Sequence, residues 1–172
     1  MTVAIVQGDR QAPADQATMP VTLVLDRLRS AHNTGNIFRL ADAVRAERII
    51  CCGYTPAPPH PKLEKTAMGA DKLIPCETCA TAAEALTQLK RLGYTIYGVE
   101  TAAQARLYWQ ARFRFPAALV LGNEALGISQ EAMECCDEFV CLPAAGFKNS
   151  INVGNCAAVV LFEARRQFTD KG

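Results

Sequence analysis

Short apolar runs recur along this chain, and segments with helical spacing lie between them. Residues 21–25 and 139–142 are nearly unbroken apolar runs, which predicts buried strands, the first of the parallel-sheet sort, and 47–52, 94–99 and 117–121 read as further strands. Ile37, Leu40, Ala41 and Val44 mark one face of a helix. Ala82, Ala85, Leu86 and Leu89 mark another within 81–92, with Gly93 as its stop. Val153, Ala157, Val160, Leu161 and Ala164 mark a third. A short helix is predicted over 62–68, closed by Gly69, an extended piece over 72–75, and a further short helix capped by Ser129. Residues 53–61 hold four prolines and read as a loop. Strands alternating with helices predict an α/β domain with a mostly parallel sheet. Residues 1–20, with Gly8, Pro13 and Pro20, show little periodicity and read as an arm ahead of a single domain over 21–172.

In such sheets ligands gather at the carboxyl ends of the strands. Four loops qualify, 27–36, 100–103, 122–127 and 143–152, and the unusual polar clusters of the chain fall in them. In the last, Pro143 and Gly146 break the pattern and Lys148, Asn149, Ser150 and Asn152 crowd in before a helix. Free backbone N–H groups at such a junction suit a small charged ligand. A helix cap would explain one of these four residues. In the first loop, Asn33 and Asn36 are expected at the loop-to-helix junction, with Arg39 one turn inside. A cation there opposes the helix dipole, which points to use on an anion such as a phosphate. The plainer alternative is a capping Asn and a solvated Arg. Between Gly122 and Gly127 lies a turn with one acid, Glu124, which is either solvated or orders Asn33 and Arg39 across the cleft.

Composition narrows the classes. The 172 residues suffice for a substantial core, half are apolar, and the net charge of +1 gives no global basic field. Any RNA-binding surface must be local, and Arg29 and Lys148 stand out by position. No apolar stretch is long enough to span a bilayer and no signal segment is evident, so a cytoplasmic location is expected. Cys76 and Cys79 have the spacing of half a zinc site or a redox pair, but no second pair completes it and only His32 and His60 could substitute. The eight cysteines are therefore expected to be reduced thiols, with no metal. The glycine fingerprints of dinucleotide and ATP sites are absent, as is the serine-hydrolase elbow.

Three motifs taken together resemble a known family. Asn33-x-Gly-Asn-Ile-Phe-Arg39, then Leu119-Val-Leu-Gly-Asn-Glu124 with Gly127, then Leu142-Pro143 through Ser150-Ile-Asn-Val153 are similar to the three signature motifs of the SpoU (TrmH-like) RNA 2′-O-ribose methyltransferases of the SPOUT class. Lys65-Thr-Ala-Met-Gly-Ala70 also fits. Ile151 stands where Leu is commoner, and Arg45 near a position usually held by Gly. The resemblance implies an α/β domain with a C-terminal trefoil knot, a topology no pattern of periodicity would suggest. It also implies S-adenosylmethionine as cofactor, a homodimer, and an RNA substrate, with tRNA favoured over rRNA for so short a chain.

Carried over residue by residue, the resemblance makes Asn33, Arg39, Glu124, Ser150 and Asn152 the catalytic group. Gly122, Leu142 and Ile151 would lend backbone groups to the cofactor, with Glu100 and Thr101 bordering the same pocket. Ser150 and Asn152 are expected to fix the ribose hydroxyl, and Asn33 and Glu124 to hold Arg39. Since an Arg stays protonated, Arg39 is expected to clamp a phosphate and stabilise the forming alkoxide, and the resemblance allows it to act across the dimer interface. Two rivals remain open: a catalytically inactive RNA-binding dimer of the same fold, and a redox protein using Cys76 and Cys79.

Overall fold

The computed structural model describes residues 17–147 and 150–170. Most of the 1–20 arm, together with Lys148, lies outside the described residues. Strand β1 (Met19–Asp26) is buried along nearly its whole length, and helix α1 (Ala31–Ala43) follows after a four-residue turn. Then come β2 (Ala46–Cys52), α2 (Pro61–Ala67), a single 3-10 turn at Ala70–Lys72, and β3 (Cys76–Cys79). The remainder is α3 (Ala82–Arg91), β4 (Thr95–Val99), the two-residue β5 (Arg106–Leu107), β6 (Ala117–Gly122), α4 (Gln130–Glu134), β7 (Glu138–Cys141) and α5 (Val153–Thr169).

The seven strands form one sheet in the order β3-β2-β1-β6-β4-β7-β5, and every pairing is parallel. Alternate residues leave opposite faces of each strand, as the two-residue period of a strand demands. Leu23, Leu25, Leu119 and Leu121 join Ile37, Phe38, Leu63, Val160 and Leu161 in one core, under α1, α2 and α5. Val24, Ile50, Ala118 and Val120 join Ala82, Ala85, Leu86, Leu89 and Ala132 in the other, under α3 and α4. This is the α/β layering that the apolar runs predict.

Several boundaries differ from those read in the sequence. Met19 and Pro20, read as part of the arm, begin β1, and Met19 is fully buried. The extended piece expected at 72–75 lies at Cys76–Cys79 instead, because the chain first makes its 3-10 turn. Arg106–Leu107 joins the sheet edge without any apolar run to announce it. Helix α1 starts at Ala31, with the Ser30 hydroxyl accepting the Asn33 N–H at 3.2 Å, so Asn33 sits in the first turn. Arg45 has φ of 53°, a left-handed conformation that favours glycine, which accounts for the glycine usual near that position.

Candidate active site

The carboxyl ends of β1, β2 and β6 are tied together by buried polar groups. Asp26, 1% exposed, closes β1: one carboxylate oxygen accepts the Ser129 N–H at 2.7 Å and the other the Arg27 Nε–H at 3.1 Å. The next residue but one, Leu28, donates its N–H to the hydroxyl of buried Thr55, which fixes the loop after β2 against the loop after β1. Past β6, Asn123 uses its whole amide. Nδ2 donates to the Arg27 carbonyl at 2.7 Å and to the Tyr54 hydroxyl at 3.0 Å, while Oδ1 accepts from the N–H groups of Ala125 and Leu126. Backbone bonds between Asn123 and Gly127 close the turn. Gly122 has no room for a side chain, since a Cβ would stand 2.3 Å from the backbone of Gly127 and Ile128.

This turn presents Glu124 to the start of α1. One carboxylate oxygen accepts the Arg29 N–H at 2.9 Å; the other accepts the Ser30 N–H at 3.0 Å and the Asn33 side-chain N–H at 2.9 Å. Partial burial pushes the Glu124 carboxyl up, but the hydrogen bonds from Arg29, Asn33 and Ser30 outweigh it and leave its pKa below the ordinary carboxylate value. Asn33 passes the link on: its Oδ1 accepts from Asn152 Nδ2 at 3.2 Å. Asn152 is also the N-cap of α5, its Oδ1 accepting the N–H groups of Gly154 and Asn155 at 2.9 and 3.4 Å. Three loops far apart in the chain therefore meet through one run of hydrogen bonds.

Beside that run lies a cavity of about 470 Å³. Gly122, Leu142 and Ile151 line it, as do Glu100 and Thr101. Glu124, Ser150 and Asn152 stand on its rim side, also among the lining residues. The Glu100 carboxylate accepts the N–H groups of Thr101 and Ile128, and it lies against Gly127, where a Cβ would come within 2.5 Å of its oxygen. The sequence reading did not single out Asn123, Cys141 or Cys156, which line the cavity too. An Asn directly after a glycine at a strand end was the available signal for the first of these.

Arg39 is the exception. It is exposed on α1, does not line the cavity, and makes no hydrogen bond or ion pair among the described residues. Because α1 begins at Ala31, Arg39 lies more than two turns inside, beyond the first turn to which the dipole argument applies. Within one chain Asn33 and Glu124 bond each other and not Arg39. The Cys76 and Cys79 side chains leave opposite faces of β3, so they form no redox pair with each other. Cys76 Sγ instead lies 3.8 Å from Cys51 Sγ. Among the described residues no group of three or more His, Cys, Asp or Glu is placed to hold a metal ion.

Comparisons with known proteins bear on this arrangement. The model of the SpoU rRNA Methylase family matches residues 20–162. The chain is 36% identical over 148 residues to the 23S rRNA (guanosine-2'-O-)-methyltransferase RlmB of Ralstonia nicotianae, covering 86% of this chain but 59% of that relative. Among solved structures, the SpoU methyltransferase AviRb from Streptomyces viridochromogenes, in complex with the cofactor AdoMet, superposes with a TM-score of 0.80 at 26% identity, covering 91% of this chain and 63% of that one. The A. aeolicus TrmH/SpoU tRNA modifying enzyme gives 0.81 at 25% identity, covering 90% and 78%. With the match running from the first residues of β1 well into α5, the chain belongs to the SpoU rRNA methylase family.

Proposed function

We propose that this chain transfers a methyl group from S-adenosylmethionine to a ribose 2′-hydroxyl of RNA. The observation that carries the reading is the convergence of Glu124, Asn33 and Asn152 on the rim of a single cavity. Its volume suits a small-molecule ligand. Two carboxylates, Glu100 and Glu124, are among its lining residues, a suitable surround for a cationic sulfonium. The bound cofactor supplies an electrophilic methyl; the protein supplies placement and electrostatics.

Ser150 and Asn152 then orient the incoming hydroxyl from the rim, and the Glu124–Asn33 link keeps Asn152 in place. Arg39 clamps the neighbouring phosphate and stabilises the negative charge that develops on the ribose oxygen. Since Arg39 does not reach the cavity of its own chain, it serves the cavity of a second copy, and the working unit is a homodimer. Phe162, 53% exposed on α5, supports such pairing. The C-terminal trefoil knot is part of the same proposal, and the seating of β7 between β4 and β5, out of chain order, supports it.

Both tRNA and rRNA belong in the assay, since the sequence reading leans to tRNA while the Ralstonia relative is named for 23S rRNA. Labelled S-adenosylmethionine, incubated with each RNA fraction, should leave alkali-resistant 2′-O-methyl positions in one of them. Arg39→Ala should abolish turnover with cofactor affinity nearly intact. Mixing Arg39→Ala with Asn152→Ala subunits should restore part of the activity, because one cavity of the mixed dimer is then complete. Full turnover by Arg39→Ala would refute its role, and no recovery on mixing would refute its action across subunits. No helix among the described residues is long and apolar enough to cross a membrane.

A further inference from the structure

We infer that Tyr54 is a stacking platform for an unpaired nucleobase beside the reactive ribose, so that the chain takes its RNA as a single strand or loop and not as a duplex. The inference rests on the RNA methyl-transfer reading and adds to it the form of the substrate. Tyr54 lies just past β2 and Gly53, whose φ is 62° and which stands close against the stem of Arg27. Buried Thr55 anchors the next position, so the backbone on both sides of Tyr54 is fixed. Its hydroxyl accepts a hydrogen bond from Asn123 Nδ2 at 3.0 Å, and Asn123 is 4% exposed and lines the cavity.

This inverts the usual placement of a tyrosine. A tyrosine that serves packing buries its ring, as Tyr97 does at 0% exposure. Here the hydroxyl is tied inward and the residue remains 57% exposed. The turn itself does not need the tie, because Asn123 already holds the Arg27 carbonyl and the N–H groups of Ala125 and Leu126. What the tie does fix is an open aromatic surface one residue away from the cavity.

The surroundings suit a nucleotide strand. Arg29, exposed on the adjoining loop, offers a cation, its backbone N–H being held by Glu124. Leu126 in the Asn123 turn is 71% exposed and extends the apolar surface. With a net charge of +1 the chain has no global field to gather RNA, so affinity must come from local contacts of this kind. The face of a base is open to an aromatic ring only when the base is unpaired, since in an A-form duplex it is covered by its neighbours.

The test uses the full chain with Tyr54→Leu, Tyr54→Phe and Tyr54→Trp. Turnover on total RNA, calorimetric titration with S-adenosylmethionine, and fluorescence quenching of a 12-mer RNA carrying one 2-aminopurine are measured for each. Tyr54→Leu should raise KM for RNA about tenfold or more and lose the quenching. Its kcat at saturating RNA and its cofactor affinity should stay within about twofold of the parent, a split that a merely structural role would not give. Phe and Trp keep the ring but lose the tie to Asn123, so each should fall between Tyr and Leu. The inference is overturned if Leu leaves KM and quenching unchanged, or if Phe is as damaging as Leu. It is equally overturned if a duplex 12-mer competes as well as the single strand. If the parent chain transfers no methyl to any RNA, the functional reading fails, while the quenching still decides the role of Tyr54.

Discussion

Asn152 donates from Nδ2 to Oδ1 of Asn33 across 3.2 Å and 119 positions of sequence, while its own Oδ1 caps α5. The two tasks separate by substitution. Asn152→Asp keeps an acceptor for the Gly154 and Asn155 N–H groups and places negative charge at a helix N-terminus, so thermal stability should equal or exceed that of the parent. It removes the donor that Asn33 needs, and turnover should fall about a hundredfold. Asn152→Ala should lose turnover and also about 1 kcal/mol of stability. Full activity in Asn152→Asp would show that the Asn33 link is dispensable.

Glu124 ties the start of α1 to the turn after β6 with three hydrogen bonds that its ionised form accepts. Its folded pKa lies below its ordinary value of 4.5. A carboxylate so depressed favours the folded state fully above the ordinary range, and that contribution disappears as pH falls through the lower, folded value. Glu124→Gln should therefore be less stable than the parent at pH 7, with the difference closing as the pH drops below about 4. Thermal unfolding of both proteins across pH 3 to 7 measures it; a constant difference would mean that the charge is not involved.

Gly122 and Gly35 set a contrast between two tight approaches. A Cβ at Gly122 meets backbone at 2.3 Å and cannot be relieved by moving a side chain. Gly122→Ala should cost about 2 kcal/mol or more and abolish cofactor binding. At Gly35, inside α1, alanine gains about 1 kcal/mol of helix propensity. Its Cβ would, however, stand 2.6 Å from the Leu63 carbonyl oxygen and 2.8 Å from Thr66 Cβ on α2. Overpacking of about 1–3 kcal/mol should win, lowering the melting temperature by a few degrees while leaving cofactor affinity intact. Calorimetry with and without S-adenosylmethionine separates the two.

The thiol pair in the sheet predicts a reactivity order. The Cys51 thiol beside Cys76 stabilises the Cys76 thiolate and lowers its pKa, and Cys51 is raised by the same contact. Burial pushes Cys52 and Cys136 up to about 12. Iodoacetamide at pH 8 should label Cys76 ahead of Cys52 and Cys136, and Cys51→Ala should slow the labelling of Cys76. Peptide mapping by mass spectrometry reads both; unchanged labelling of Cys76 in that variant would show that Cys51 does not activate it.

The strands that carry the site were legible because β1 and β6 are apolar on both faces and stand between Gly, Pro and polar breaks. β3 was not, since its two central residues, Glu77 and Thr78, face solvent at the sheet edge, and β5 is too short to have a period. Grouping Glu124, Asn33 and Asn152 followed from where parallel strands end. Assigning their partners did not, because Glu124 takes main-chain N–H groups at Arg29 and Ser30, and main-chain donors look alike in every residue type. Reading Ser30 as loop and not as the cap shifted the start of α1, and with it the apparent position of Arg39. Tyr54 and Asn123 escaped notice because their bond joins residues 69 positions apart.

β7 lies between β4 and β5, and among the described residues β5 pairs with no other strand. A nascent chain that has left the ribosome only as far as residue 137 thus has no strand to hold β5 in the sheet and lacks one wall of the cavity. Cofactor capture must wait until β7 has been made, and truncations ahead of β7 should yield no partially competent enzyme.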